Sequence, residues 1–320
     1  MAKSSFKDLF KLRRKSLTKS ERRAQTRKLK AMRWIFPYAI ERQYRVFIKK
    51  WMKDFRDLTT VRVKKLSKWK EELNPKRNDT FAEDMFKWNK EMLDIQKKST
   101  SRKNLARPVL KVAEETNEFN REQFEKFSTE AIGINFYDEE PWVDDVLEAW
   151  QVENQSLIKG LSDDYIKKIN TAVSDGVMQG KLLKNIRKDI LKIEGVTKNR
   201  ATLIARDQIG KLNGKLTQRR MQEADLDLYE WLTANDERVR GRPGGRYPKA
   251  RPSHWIMQRR TNLYRWDNQD LFSTNKGKTW IKRYQSMTKT HPGMAIMCRC
   301  TALPYLDELI GEIDTELNAA

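Results

Sequence analysis

Along most of the chain apolar residues recur at steps of three and four, the spacing that lines up one side of an α-helix. Ile40, Tyr44, Ile48, Trp51 and Phe55 follow one another in this way after Pro37, whose fixed backbone suits a first helical turn. Arg42, Arg45, Lys49, Lys50 and Lys53 fill the rest of that helix's circumference. The segment Asn74–Thr80, with Pro75, marks a break. Phe81, Met85, Trp88, Met92 and Ile95 predict a helix over Phe81–Lys97, and Ser99–Arg107 reads as a polar connector ending at Pro108. Further helices are predicted at Pro108–Phe127, Pro141–Lys159, Asp163–Ser174 and Lys181–Ile193, with a loop at Gly133. A long one over Lys198–Glu223 takes Ile204, Ile209, Leu212 and Leu216 as its face and contains Gly210 and Gly214. No internal repeat is visible.

After Ala224 the texture changes. Leu228–Thr233 alternates like a strand, Arg240–Pro252 is a Gly/Pro/Arg loop, and Trp255, Tyr264, Trp266 and Trp280 stand among turn residues. Met294–Leu303 reads as extended and Tyr305–Leu317 as a short acidic helix. The expected fold class is therefore mainly α, an elongated multi-helix body with a small C-terminal α+β module. The organisation expected is a basic flexible arm (1–35), a basic helical region (36–107), a helical body (108–224), the mixed module (225–304) and an acidic helix or tail (305–320).

Charge sharpens this picture. The net charge is +22, and residues 1–70 alone hold 24 Lys/Arg against 5 Asp/Glu. A positive field concentrated at one end suits a polyanion, because each neutralised phosphate releases condensed counterions. Nucleic acid is the leading partner. A membrane surface fits less well, and no run approaches the roughly 20 apolar residues of a membrane span, so no membrane anchor is expected. Met1–Lys30 lacks the apolar core of a secretory signal, which points to a reducing cytoplasm. Lys3–Lys30 carries 12 Lys/Arg against Asp8 and Glu21 and reads as an arm that becomes helical on a partner. Its candidate phosphate contacts are Arg13, Arg14, Lys15, Arg22, Arg23, Arg27 and Lys28. Glu114–Glu153, with 13 acids against Arg121 and Lys126, opposes the arm in sign. It reads as a solvated face in preference to a docking surface for that arm.

A second basic stretch runs from Arg238 to Arg260, with eight Lys/Arg, no acid, and Tyr247 and Trp255 interleaved. It is either a phosphate-contacting loop, using Arg240, Arg242, Arg246, Arg251, Arg259 and Arg260, or a solvated loop. Asp236, Arg238 and Arg240 suit a structural ion-pair ladder, and Arg206 and Asp207 an interhelical salt bridge. Trp34, Trp51, Trp69 and Trp88 sit in the basic helices and read as a face for a partner, since one or two isolated helices cannot bury so much aromatic surface.

All the histidine and cysteine, His254, His291, Cys298 and Cys300, falls in the C-terminal module. Two imidazoles and two thiols complete a tetrahedral ligand set, and Cys-x-Cys on an extended strand puts both thiols on one face. Structural zinc and a metal-free pair of buried thiols with hydrogen-bonded histidines are the two readings. A closed four-ligand set leaves no position for catalysis.

Several strings carry a family resemblance. They are Gly133-Ile134-Asn135-Phe136; Trp150 with Glu153-Asn154-Gln155-Ser156-Leu157-Ile158-Lys159; and Arg200-Ala201-Thr202-Leu203-Ile204-Ala205-Arg206-Asp207-Gln208 with Lys211-Leu212-Asn213. Tyr229-Glu230-Trp231-Leu232-Thr233, Asp236-Glu237-Arg238-Val239-Arg240, Arg251-Pro252-Ser253-His254, Trp266-Asp267 and Pro292-Gly293 leading to Cys298-Arg299-Cys300 continue the order. Over roughly 110–305 the chain resembles the phage Mu F-like head morphogenesis, or minor head, family. The resemblance implies a minor capsid protein of a tailed double-stranded DNA phage, packaged in few copies inside the head, associated with the portal and contacting DNA during packaging or ejection. Scaffold or major capsid protein are further implied partners, and the host cytoplasm is the place of assembly. Here Gly241–Ala250 separates two strings that the family runs together, and the basic first 30 residues look like an addition. No enzymatic activity is expected. The alternative is a metal-dependent DNA nuclease with His254 as general base. No Gly-x-x-x-x-Gly-Lys-Ser/Thr loop supports a packaging ATPase.

Overall fold

Helices dominate the computed structural model, which describes residues 4–61, 78–179, 181, 183–258 and 261–319. They are α1 (Phe6–Lys15), α2 (Lys19–Ala31), α3 (Tyr38–Trp51), α4 (Asn78–Ser99), α5 (Arg107–Ile132), α6 (Val143–Met178), α7 (Leu183–Glu223) and α8 (Asp307–Ala319). Residues 53–61 are helical as well, and a π-helical turn at Arg102–Ala106 replaces the predicted connector. Of the predicted break, residues 74–77 lie outside the described residues, as does Trp69, and α4 already begins at Asn78. The chain is mainly α with a small sheet module, as its periodicity indicates.

Two pairs of predicted helices are each one continuous helix. The helix α6 runs through Gly160 and α7 through Gly195, and a Cβ at either glycine would meet nothing within 4 Å. An exposed glycine costs a helix only about 1 kcal/mol. Apolar residues buried on both sides of it outweigh that, namely Ile158, Leu161 and Ile169 in α6 and Ile190, Ile204 and Leu212 in α7.

The chain divides into two units, residues 39–114 with 143–208 and residues 1–38 with 115–142 and 209–320. The first is helical. Tyr44 donates to Asn154 Oδ1 (2.8 Å), Asn154 Nδ2 donates to Gln208 Oε1 (3.1 Å), and Trp150 Nε1 donates to the Gln208 carbonyl (3.1 Å), so these buried polar atoms are paired with one another. Arg206 meets Glu41 at 3.4 Å in an interhelical ion pair. Trp51 is buried with its indole N–H on the Ser99 carbonyl (2.9 Å), and Trp88 is buried too. These tryptophans, with Trp34 on the segment between α2 and α3 in the second unit, are core and not a face for a partner, because the segments that carry them are not isolated.

The second unit holds the sheet. Strands β1 (Leu228–Leu232), β2 (Tyr264–Arg265) and β5 (Thr301–Pro304) form an antiparallel sheet in the order β2-β1-β5, with Tyr229 opposite Tyr264 and Trp231 opposite Ala302. A two-stranded ribbon pairs β3 (Leu271–Phe272) with β4 (Ile281–Lys282). Of the stretch Met294–Leu303 predicted as extended, only its end from Thr301 is strand.

Residues 4–31 are not a free arm. Ser5 caps α1 by accepting the Asp8 N–H, and Thr18 and Glu21 form a reciprocal capping box on α2. Phe6 and Phe10 are fully buried in one core with Phe127, Phe136, Trp231 and Ile313. Each such Phe contributes roughly 1.5–3 kcal/mol, which anchors α1 without any partner. Charge adds to it: Lys11 pairs with Glu316 (2.5 Å), Lys30 with Asp307 (2.8 Å), and the fully buried Arg14 holds Asp314 through two bonds of 2.7 Å. The acidic helix α8 is therefore the element the basic helices pair with. Within the acidic stretch 114–153, Glu130 reaches Lys28 (3.4 Å) and Glu140 is buried on Arg220, while Glu118, Glu122, Asp138 and Glu139 are exposed.

Candidate functional site

Two glycines of α7 shape the ground on which the thiols stand. A Cβ at Gly210 would lie 2.7 Å from the Cys298 carbonyl, and one at Gly214 would lie 2.6 Å from the Pro292 carbonyl. Glycine at both positions lets the loop 292–300 press against the helix backbone, and Gly293, at φ +85°, makes the matching turn. Cys298 and Cys300 thus reach the same buried spot from a loop just before β5. His254 arrives from the other side: the Arg240 carbonyl accepts the N–H of both His254 and Trp255 at 3.0 Å, and Ser253 is tied to Ser286 (2.7 Å).

His254 Nδ1 lies 3.4 Å from Cys298 Sγ and 3.4 Å from Cys300 Sγ, and the candidate ligand atoms all fall within 4.8 Å of one another. The cluster could hold a metal ion. All three residues are buried, the other imidazole nitrogen, Nε2, has no hydrogen-bond partner among the described residues, and the Trp231 ring stands edge-on to the imidazole at 6.0 Å. The Cys300 N–H points at Cys298 Sγ (3.4 Å). The hydrogen bond from the Cys300 side chain, then His254 and that backbone contact, outweigh burial and pull the Cys298 thiol well below its ordinary range, while burial pushes Cys300 up. A cavity of about 40 Å³ adjoins the three residues, bounded further by Ala234, Arg238, Val239, Arg240, Met297 and Arg299.

His291 does not belong to this cluster. Its Nδ1 meets Tyr229 Oη at 2.9 Å and its ring packs on Trp266 at 4.9 Å, so the four-ligand set expected from the sequence is a set of three. Burial, aided by the Arg283 charge, pulls its pKa down to about 4, which keeps it neutral as a core hydrogen-bonding group.

The basic residues fall into three groups. Arg14 is spent inside, on Asp314, Gln25 (3.1 Å) and Thr26 (3.2 Å), and is withdrawn from any phosphate. Arg13, Lys15, Arg23, Arg27 and Lys28 are exposed, and Arg22 is half-buried. Arg22, Arg23 and Arg27 line a groove of about 720 Å³ with Lys19. In the loop, Arg240 donates to the Ile296 carbonyl, Arg242 donates to the Asn235 carbonyl (2.5 Å) and covers the Trp255 ring at 5.0 Å, Arg246 pairs with Glu237 (2.7 Å), and Arg251 donates to the Ala250 carbonyl (3.2 Å). Arg259 and Arg260 lie outside the described residues. Asp236 binds Arg299 in a fork of 2.5 and 2.9 Å and also pairs with Arg238 (3.1 Å), so Arg299, absent from the predicted ladder, is its chief partner. Burial raises the Asp236 carboxyl, but the hydrogen bonds and charge of Arg299 and Arg238 outweigh it and hold it at about 2.

Residues 167–243 match the family model described as Phage Mu protein F like protein. The resemblance read from the sequence strings is therefore shown over that segment, which includes the end of α6, all of α7, β1 and the start of the arginine loop. A protein of Haemophilus influenzae (strain Rd), described as uncharacterised, is 29% identical over 167 residues. That match covers 52% of this chain and 31% of the relative, so the aligned part is about a third of the relative's length. No solved structure matches. Among the described residues no helix is long and apolar enough to cross a membrane.

Proposed function

We propose that this chain is a minor head protein of a tailed double-stranded DNA phage that acts in head morphogenesis. The observation that carries the reading is the Mu F-like match over 167–243. In this reading the protein resides inside the head beside the portal, is assembled there in the host cytoplasm, and contacts packaged or entering duplex DNA. Scaffold or major capsid protein are its further partners. The exposed cations of α1 and α2, with the groove of Lys19, Arg22, Arg23 and Arg27, suit phosphate oxygens spaced along a duplex. Zinc held by His254, Cys298 and Cys300 has a structural part, tying the arginine loop to the strand β5. The donor set of two thiols and an imidazole fits that ion.

The nuclease alternative needs a free general base beside a carboxylate-held divalent ion. His254 instead stands between two thiols, and none of the described residues bounding its cavity is a carboxylate. Particles assembled with and without the chain test the main reading. Its presence in purified heads together with density at the portal, and loss of both from heads made without it, is the expected result. Absence of the polypeptide from purified particles overturns it, and DNA cleavage with magnesium that disappears in His254→Ala would establish the alternative.

A further inference from the structure

The ligand atoms already stand at the spacing a metal would impose. Across a tetrahedral zinc, Zn–S bonds of about 2.3 Å and a Zn–N bond of about 2.0 Å put sulfur and nitrogen about 3.6 Å apart. His254 Nδ1 is 3.4 Å from both sulfurs. The loop that carries the thiols is packed closely against α7 through Gly210, Gly214 and Gly293.

The fourth corner is the informative one. His291 is committed to Tyr229 and Trp266, and none of the described residues around the cavity, other than the three ligands, is a His, Cys, Asp or Glu. The cavity of about 40 Å³ holds an ion and one or two water-sized ligands, given that one water occupies roughly 10–15 Å³ on this measure. Arg238, Arg240 and Arg299 bound it and Asp236 pairs with two of them, so three positive charges against one negative leave its surroundings net cationic. Zinc with two thiolates and a neutral imidazole has no net charge, and the guanidinium groups then favour an anion at the remaining position.

We infer that His254, Cys298 and Cys300 form a three-ligand zinc centre whose fourth coordination position opens onto the arginine-bounded cavity and takes an exchangeable water or small anion. This rests on the zinc reading above and replaces a closed structural site with an open one. Thiolate charge lowers the ion's acidity, so ligand exchange, and not hydrolysis, is the property it confers.

Cobalt substitution in the reduced full-length chain, with azide as the probe anion, tests it. One equivalent of cobalt is expected in the wild type and in His291→Asn, with thiolate-to-metal absorption that is lost in Cys298→Ser and Cys300→Ser. Azide is expected to shift the ligand-field bands saturably. Bound cobalt whose bands azide leaves unmoved overturns the open position while the zinc reading stands. Neither zinc nor cobalt in a wild-type chain of native helical circular dichroism removes both. Loss of metal in a His291→Asn chain that keeps its helicity restores a fourth protein ligand and overturns the inference.

Discussion

The two basic regions of this protein reach their shapes by opposite means. The helices α1 and α2 are fixed by apolar anchors and by charge, with Phe6 and Phe10 buried and Lys11, Arg14 and Lys30 clamped to Glu316, Asp314 and Asp307 on α8. Having settled those pairs, they still present Lys19, Arg22, Arg23 and Arg27 along one groove. The loop 238–251 is shaped by backbone: Gly241 at φ +76° and Gly244 at φ +69° turn it, and its arginines lie on carbonyls, on Glu237 or on Trp255. A cation that already has a partner must leave it to reach a phosphate. Cation density alone therefore ranks the two regions alike, and pairing ranks the helices first as the proposed DNA surface.

Substitutions sharpen that contrast, beginning with the largest effect. Arg14→Ala removes a fully buried guanidinium and leaves Asp314, Gln25 and Thr26 without it, so chemical denaturation should show a loss of about 3 kcal/mol. A loss below about 1 kcal/mol would show that the apolar anchors alone hold α1. In the loop the comparable lesion is Gly241→Ala, where a Cβ would lie 2.6 Å from Ser253 Cβ at a positive φ. It should cost about 2 kcal/mol in the same measurement and disturb metal binding through the neighbouring His254. Thr18→Ala removes the capping box of α2 and should cost about 1 kcal/mol. Arg246→Ala breaks an exposed pair with Glu237 and should change stability by under about 0.5 kcal/mol, because solvent screens such pairs.

Much of this was legible in the sequence, and the failures have physical causes. The 3.6-residue period placed the helices because burial follows it. Gly160 and Gly195 divided α6 and α7 on paper only, since a local cost of about 1 kcal/mol is small beside the apolar residues buried on either side. Charge alone makes residues 4–31 read as a free arm. Ser5 with Asp8 and Thr18 with Glu21 were the available signals of two capped helices, and the acids of 307–316 the available counter-charge, 300 residues away. For the candidate metal cluster, residue type singled out three side chains that the fold brings together. It could not separate His254 from His291, because only the fold decides which imidazole faces sulfur and which faces Tyr229. Gly210 and Gly214, four residues apart on α7, were the signal of a close backbone approach, but the loop they receive lies some 80 residues further on.

The most direct test of the electrostatic account is the salt dependence of duplex DNA binding in three full-length proteins: wild type, Arg22→Ala/Arg23→Ala/Arg27→Ala, and Arg242→Ala/Arg246→Ala/Arg251→Ala. The slope of log K against log salt changes by about 0.9 for each phosphate that is no longer neutralised. A slope that is shallower by roughly 2–3 in the helix variant and by less than about 1 in the loop variant is the predicted result. An unchanged slope in the helix variant, or a larger change in the loop variant, contradicts it.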